Sequence, residues 1–154
     1  MKVIELNKGQ VAIVDDEDFE RLAQWRWFVN AYGYVVRHAK PHERTGEHGM
    51  IWMHHAMLPK KEGFEIDHKN RNPLDNRRCN LRYATRTQNK FNRGVRKDSK
   101  IGLKGVERSG SGFSSRIMIE GKRTYLGIFR TPEEAAAAYE EAARRLHGEF
   151  FYKN

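Results

Sequence analysis

Cysteine is nearly absent from this sequence, and its scarcity limits the chemistry that the chain can hold. Cys79 is the one cysteine in 154 residues, which excludes an intramolecular disulfide and any zinc site built from several cysteines. The sequence also lacks an apolar run of about 18 residues, and its first residues lack a charged segment followed by an apolar one. We therefore expect neither a membrane span nor a signal peptide, and we predict a cytoplasmic protein.

Acidic residues are the minority among the charged ones, and the excess positive charge is concentrated in one interval. The chain has 29 Lys and Arg against 20 Asp and Glu, a formal net charge of +9. The interval from Lys69 to Arg108 holds 13 basic and 3 acidic residues, so the remainder is nearly neutral. Such segregation indicates a polyanionic partner, most simply nucleic acid, and a solvated basic surface is the plainer alternative. A hydrophobic content of 38% favours small modules with modest cores.

The first 57 residues predict an α+β segment. Strand signals over residues 3–14 lead to a helix that either Asp15 or Asp16 caps. Residues 28–37 predict a strand pair or a bent strand, and residues 50–57 predict a strand that runs into a short helix. The apolar face of the first helix is formed by residues at helical spacing: Phe19, Leu22, Ala23 and Trp27.

The stretch from Glu65 to Asn89 concentrates the residues that can hold a metal and move a proton. Its pattern predicts a strand (residues 66–68), an ordered loop (69–80), a returning strand (81–84) and a helix (85–92). In such a hairpin followed by a helix, Asp67, His68 and Asn89 can converge.

These three side chains suit the hydrolysis of a phosphodiester. That reaction needs a hard cation at the phosphate oxygens and a base that makes hydroxide from water. Asp67 and Asn89 supply oxygen ligands, which suit Mg²⁺ rather than zinc. An unperturbed imidazole has a pKa of about 6.5, so His68 can accept a proton near neutrality. Because neighbouring residues of a strand face opposite sides, Asp67 can face the metal while His68 faces the water.

This stretch resembles the HNH endonucleases, specifically the phage and intron-encoded homing type with a ββα-metal core. The resemblance is carried by the pair Asp67-His68, by N-x-x-D-N-R-x-x-N-L over residues 72–81, and by T-x-x-Q-N ending in Asn89. It implies that His68 is the general base and that Asp67 and Asn89 bind one Mg²⁺ or Mn²⁺ ion. It also implies that Asn80 braces the loop and belongs to the catalytic set.

A second histidine belongs to the predicted catalytic set by the same resemblance. In that family a His precedes an Arg at the positions of His54 and His55, so His54 is expected to contact the scissile phosphate or to support the site. A plain structural histidine is the alternative. His55 departs from the family's Arg, and with its lone cysteine this chain lacks the zinc ribbon that some HNH proteins carry.

Basic residues around and after the hairpin are predicted to meet DNA phosphates, which strengthens binding without conferring sequence preference. In the hairpin they are Arg77, Arg78, Arg82 and Arg86. Residues 93–103 combine cations with two glycines and lack periodicity, so we predict a linker along the DNA backbone. Its predicted contacts are Arg93, Arg96 and Lys97.

Residues 104–154 predict a separate unit of three short strands and one helix. Thr131, Pro132 and Glu134 mark the start of that helix through a capping box with proline at the first position. The motifs K-G-V, Y-L-G-x-F, T-P-E-E-A-A and H-G-E-F resemble the APETALA2-type DNA-binding domain, which lays its sheet in the major groove. The matching DNA contacts are Lys104, Arg108, Arg116, Arg123 and Tyr125.

Together these patterns predict an α+β fold, in which an N-terminal α+β segment leads into a ββα-metal HNH core and then a three-stranded antiparallel sheet with one helix. The predicted domains are the HNH endonuclease domain (1–92, with its motif at about 65–92), a basic linker (93–103) and the APETALA2-type domain (104–154).

The predicted function is a metal-dependent DNA endonuclease of the homing type, in the host cytoplasm if a phage encodes it. Its expected partner is double-stranded DNA, which the chain meets as a monomer or weak dimer. The alternative is a DNA-binding regulator with an inactive HNH unit, and RNA processing is a weaker third option.

Overall fold

The computed structural model describes residues 1–43, 49–95, 99–119 and 121–151. It divides the chain into two compact units, Met1–Arg86 and Thr87–Asn154. Both units combine antiparallel strands with helices, which confirms the predicted α+β class. None of the helices in these ranges is long and apolar enough to cross a membrane.

The described strands of the first unit form antiparallel sheets of two, three and two strands, in the orders β1-β2, β3-β4-β5 and β6-β7. In chain order these are β1 (Lys2–Glu5), β2 (Val11–Val14), β3 (Phe28–Val29), β4 (Val35–His38), β5 (Met50–Trp52), β6 (Glu65–His68) and β7 (Leu81–Ala84). The helices are α1 (Asp16–Ala23) and α2 (Met53–Met57). The predicted strand pair over residues 28–37, the strand and short helix over 50–57, and both strands of the later hairpin are confirmed.

Helix α1 departs from its prediction at both ends. Asp15 occupies the N-cap position, but its side chain makes no capping bond. Its Oδ2 instead accepts the backbone N–H of Arg78 at 2.7 Å. The first N–H groups of the exposed helix can be satisfied by water. Leu22 is buried as predicted, whereas Ala23 is exposed and Trp27 lies beyond the helix end, where its indole N–H donates to the carbonyl of Leu22.

The second unit packs one long helix on a three-stranded sheet of order β10-β9-β8. Its strands are β8 (Val106–Ser109), β9 (Gly112–Ile119) and β10 (Lys122–Phe129). The long helix, called α4 below, spans Pro132–His147 and begins with the predicted capping box of Thr131 and Glu134. Tyr139 lies so close to the backbone of Gly105 that a Cβ there would come within 2.1 Å of its ring, so glycine is required at that position.

Helix α3 (Arg86–Asn92) carries the last residues of the predicted HNH motif, and all of it except Arg86 belongs to the second unit. The compact units therefore divide at residue 86, whereas the sequence placed the domain boundary at residues 93–103. Contacts of Phe91 with later residues, described below, explain the difference. The extent of each functional domain stays a prediction, and the predicted DNA contacts Arg96 and Lys97 lie outside the described residues.

Candidate active site

The hairpin β6-β7 places the predicted catalytic residues in the interior of the first unit. Its register pairs Asp67 with Arg82 and His68 with Leu81. Asp67 and His68 are each 6% exposed, and neighbouring Leu81 belongs to the apolar core. The turn-rich loop between the strands and the apolar pair Ile66-Tyr83 across them favour this pairing. The two polar side chains are therefore held on a buried strand rather than on a mobile loop.

Asn80 joins the two ends of the loop that connects these strands. Its Oδ1 accepts the backbone N–H of Asn70 at 3.0 Å, and its Nδ2 donates to the carbonyl of Asp75 at 2.7 Å. The backbone N–H of Lys69 also donates to the carbonyl of Asn80 at 2.8 Å. Because Asn80 is buried and bonded in both directions, its side chain holds the loop closed directly after His68.

The same loop is attached to strand β2 by main-chain atoms. The backbone N–H of Ile13 donates to the carbonyl of Leu74, and the backbone N–H of Asn76 donates to the carbonyl of Ile13, both at 2.8 Å. These bonds form a parallel bridge between Ile13 and Asp75. Asp75 is 2% exposed, and the guanidinium of Arg77 beside it holds the pKa of its carboxyl below the ordinary value. Asp75 is therefore part of the loop's support.

Asp67 forms a buried ion pair with Arg82, the residue opposite it in the hairpin. The Nε and a terminal nitrogen of Arg82 lie 2.9 and 2.8 Å from the carboxylate Oδ2. Their side chains are 8% and 6% exposed, so the attraction between them is little screened by water. Each buried group of this pair has a partner of opposite charge, in an interior where an unpaired charge would be strongly disfavoured.

His68 is held in its neutral form by its surroundings. Burial lowers the pKa of its imidazole, and this effect outweighs the hydrogen bond to Asn76 and the charges of Asp67 and Asp75, which act in the opposite direction. Its Nε2 lies 3.4 Å from Oδ1 of Asn76. If Nε2 carries the proton and donates it to that oxygen, Nδ1 is left with a lone pair. A neutral imidazole is the form that accepts a proton from water.

Aromatic rings surround His68 on the side formed by β4, β5 and α2. The ring of His54 stands nearly perpendicular to it, with 5.4 Å between centroids, and the ring of Tyr34 is 6.1 Å away. Burial, followed by the neighbouring imidazoles of His55 and His68, lowers the pKa of His54 to about 3. His54 therefore packs against His68, the predicted base, as an uncharged ring. Contact with a phosphate stays a prediction.

The predicted DNA contacts of the hairpin differ in how their charge is held. Arg77 pairs with Asp75 at 2.7 Å and Arg78 with Asp18 at 2.8 Å, with side chains 32% and 47% exposed. Arg82 is buried against Asp67. Arg86 is exposed. Three of the four guanidinium groups thus have carboxylate partners within the protein.

In the second unit, Asn89 lies on α3 and is partly buried, and Arg93 just after the helix is exposed. Lys104 is partly buried, and its ammonium donates to the carbonyls of Phe91 and Arg93, both at 2.6 Å. This predicted DNA contact therefore has bonds within its own unit. Arg108 is exposed on β8.

The exposed face of the β8-β9-β10 sheet carries the other predicted DNA contacts. Arg116 and Tyr125 are paired residues of β9 and β10, and Arg123 is two positions before Tyr125. Glu107 on β8 accepts from Arg123 at 2.8 Å and from Arg116 at 3.3 Å. All four side chains reach solvent, so the two arginines and the carboxylate of Glu107 form an exposed charged surface on this face.

Sequence reasoning missed two neighbours of the predicted base. Asn76 lies in the predicted loop and was assigned no role, yet it is fully buried and lies against His68. Its place inside the motif N-x-x-D-N-R-x-x-N-L, four residues before Asn80, was the available signal. Tyr34 comes from a different sheet, and no local pattern connects it with His68.

The described residues contain no group of three or more His, Cys, Asp or Glu side chains that could hold a metal ion. The predicted ligands Asp67 and Asn89 are one carboxylate and one carboxamide, so an ion held by them would take most of its coordination from water. Asp67 is a charged oxygen donor on a rigid strand, and Asn89 is a neutral one on α3.

These features identify the first unit as a nuclease unit: a buried Asp-His pair on a hairpin, a neutral imidazole and a loop closed by asparagine. A family model described as HNH endonuclease matches residues 47–91, which include α2, the hairpin and most of α3. Residues 47–91 therefore form an HNH endonuclease domain, which makes the protein a nuclease, a hydrolase whose implied substrate is DNA.

Two viral proteins are similar to the chain over most of its length. Over 148 residues the chain is 27% identical to an uncharacterised HNH endonuclease of Acanthamoeba polyphaga mimivirus, covering 96% of this chain and 76% of the relative. Over 108 residues it is 34% identical to Protein 3.8 of Escherichia phage T7, covering 67% of this chain and 85% of the relative. No solved structure matches the chain with statistical significance.

Proposed function

We propose that this protein is a metal-dependent DNA endonuclease of the homing type, with His68 as its general base. The observation that carries the proposal is the buried pair Asp67-His68 on β6, inside the stretch that matches the HNH family. Burial keeps His68 neutral, and Asn76 orients its ring, so the imidazole is ready to take a proton from an attacking water.

Asp67 and Asn89 are the proposed ligands of one Mg²⁺ or Mn²⁺ ion. HNH nucleases generally use a divalent metal, and hard oxygen donors suit these two ions. When bound, such an ion supplies positive charge to the phosphate oxygens and to the leaving oxygen. Arg82 holds the carboxylate of Asp67 in place, and Asn80 keeps the loop closed behind His68. We propose that His54 supports the site as an uncharged ring packed against His68.

The second unit is the proposed site-selecting module. Its three-stranded antiparallel sheet backed by one helix is the architecture expected from the resemblance to the APETALA2-type domain. Exposed cations and Tyr125 on the sheet face are suited to phosphates and base edges. The proposed DNA contacts with exposed side chains are Arg78, Arg86, Arg93, Arg108, Arg123 and Tyr125, and those with partly exposed side chains are Arg77 and Arg116.

The viral relatives favour a mobile or phage-borne gene, so we place the protein in the host cytoplasm. With one Asp-His pair per chain, each binding event nicks one strand. Cleavage of both strands then requires a weak dimer on DNA or a second encounter.

Plasmid cleavage tests the proposal directly. Supercoiled DNA incubated with the protein and Mg²⁺ should be converted to open-circular and linear forms with 5′-phosphate and 3′-hydroxyl ends. His68→Ala should lower the rate by about 10²- to 10⁴-fold, the usual contribution of a general base. His42→Ala, which removes an exposed histidine of the same unit, is the matched control. Undiminished cleavage by His68→Ala, or cleavage that survives EDTA, would contradict the proposal.

One observation favours a second candidate, a DNA-binding regulator whose HNH unit is inactive. The carboxylate of Asp67 is already engaged by Arg82, so the ion pair and a metal compete for the same oxygens. Tight binding to a defined DNA site without cleavage under Mg²⁺, Mn²⁺ or other divalent ions would select this candidate.

A further inference from the structure

Helix α3 carries Asn89, the proposed metal ligand, and is built into the second unit. It has only seven residues, a length at which an isolated helix is unstable in water. Its order must therefore come from tertiary contacts. Within the second unit, its C-terminal end contacts His147 of α4 and Lys104.

The first contact is a ring stack. Phe91 lies face to face with His147, the last residue of α4, with 3.5 Å between ring centroids and 11° between ring planes. His147 is 8% exposed. Burial, together with the charge of Lys104, lowers the pKa of its imidazole, so the ring stacks as a neutral aromatic group.

The second contact satisfies carbonyls at the helix end. The ammonium of Lys104 donates to the carbonyl oxygens of Phe91 and Arg93, both at 2.6 Å. The last carbonyls of a helix have no partner within it, and a cation is favoured at that end of the helix dipole. Next to them, Asn92 is 3% exposed, so the end of α3 is packed as well as bonded.

From these contacts we propose that His147 and Lys104 are positioning residues of the nuclease, which hold α3 and thereby fix the carboxamide of Asn89. This inference rests on the proposed function, because it takes Asn89 as a ligand. It assigns Lys104 to the support of α3 rather than to a DNA phosphate.

The physical consequence is a change in the population of competent molecules. If α3 is ordered for only a fraction of the time, the apparent affinity for the metal falls by that fraction, because the ligand must be in place before it can bind. The loss appears in the metal concentration needed for cleavage. Binding of DNA by the exposed sheet face is unaffected.

The test uses the full-length protein with His147→Ala, His147→Phe and Lys104→Met. Hydrogen exchange of the α3 amides in the absence of metal gives a readout that does not depend on activity. We expect exchange about tenfold faster in His147→Ala and Lys104→Met, with His147→Phe close to the unmodified protein because phenylalanine keeps the stack. Arg145→Ala, which alters an exposed side chain in the same turn of α4, is the control.

The same variants are then assayed for cleavage across a range of Mn²⁺ concentrations. His147→Ala and Lys104→Met should need about tenfold more Mn²⁺ for half-maximal rate, with the KM for DNA changed less than about twofold. Phe91→Ala removes the stack from the other side, and it replaces His147→Ala if that variant loses protection throughout α4.

Unchanged exchange in α3, or His147→Phe as impaired as His147→Ala, would overturn the inference. Faster exchange with an unchanged Mn²⁺ requirement would also overturn it. If His68→Ala still abolishes cleavage in that assay, the failure lies with the role of α3 and the nuclease assignment stands.

Discussion

The two units handle arginine in opposite ways. In the first, Arg37, Arg77, Arg78 and Arg82 each face a carboxylate, and two of these guanidinium groups are almost fully buried. In the second, Arg116 and Arg123 share the single exposed carboxylate of Glu107 on an open sheet face. Positive charge in the first unit therefore largely holds the hairpin and its loop together, whereas in the second unit it is available to a partner. A count of basic residues cannot make this distinction.

Removing a buried arginine should have the largest effect. Arg82→Met leaves the carboxylate of Asp67 without its buried partner, and we expect a loss of about 3 kcal/mol in the free energy of unfolding of the first unit. Because all three tryptophans lie in that unit, their fluorescence during urea unfolding measures it selectively. Arg123→Met should change stability by less than about 0.5 kcal/mol. Equal losses for the two variants would break the contrast between the units.

Asn76→Leu should have the next largest effect, because it removes the oxygen that faces Nε2 of His68 while keeping a similar volume. We expect kcat to fall about tenfold, with the KM for DNA unchanged, since the imidazole loses its preferred tautomer and orientation. The ¹⁵N chemical shifts of the ring report the tautomer directly. Cys79→Ala, an exposed change in the same loop, is the control. A kcat equal to that of the unmodified protein would mean that Asn76 serves the loop alone.

The salt dependence of DNA binding should separate the two kinds of arginine. Arg123→Ala should reduce the slope of log affinity against log salt by about one, because one phosphate contact is lost. Arg78→Ala should lower the melting temperature of the first unit, since Asp18 loses its partner, and leave that slope nearly unchanged. A slope reduced by about one in Arg78→Ala would make Arg78 a phosphate contact, as the sequence predicted.

Lowering the pH should gradually reduce the free energy of unfolding of the first unit, and we expect this effect to be the smallest of those described here. The guanidinium groups of Arg78 and Arg77 lower the pKa of Asp18 and Asp75, and Arg37 lowers the pKa of Glu43 to about 2. Because these folded-state values lie below the unfolded ones, the carboxylates stabilise the fold above pH about 4. That stabilisation is lost as the pH falls through the folded values. Tryptophan fluorescence against pH measures it, and Asp18→Asn should flatten the profile between pH 4 and 2.

The sequence was sufficient for elements that local chemistry determines. The hairpin strands follow from the turn-rich loop between them, and α4 begins at Pro132 because Thr131 and Glu134 form a capping box around it. The motif around Asp67 and His68 was readable for the same reason, since its spacing is fixed within one stretch.

Contacts between distant residues were not predictable. Arg78 meets Asp18 across 60 positions, and its amide takes the carboxylate of Asp15 away from the helix start where the sequence placed it. The stack of Phe91 on His147 assigns α3 to the second unit, although a continuous motif runs from the hairpin into that helix. In each case the partner is set by how elements pack, which periodicity does not encode.

The bridge between strand β2 and the catalytic loop uses the amide and carbonyl of Ile13 and no side-chain atom. These bonds do not depend on the side chain at position 13. Other residues with high β-propensity can therefore replace Ile13 while the loop keeps its shape. Proline is the exception, because it has no N–H to give to Leu74. Strand β2 carries no catalytic residue, yet it supports the loop through its main chain. It should therefore tolerate substitution of its side chains but not a change in its register against the loop.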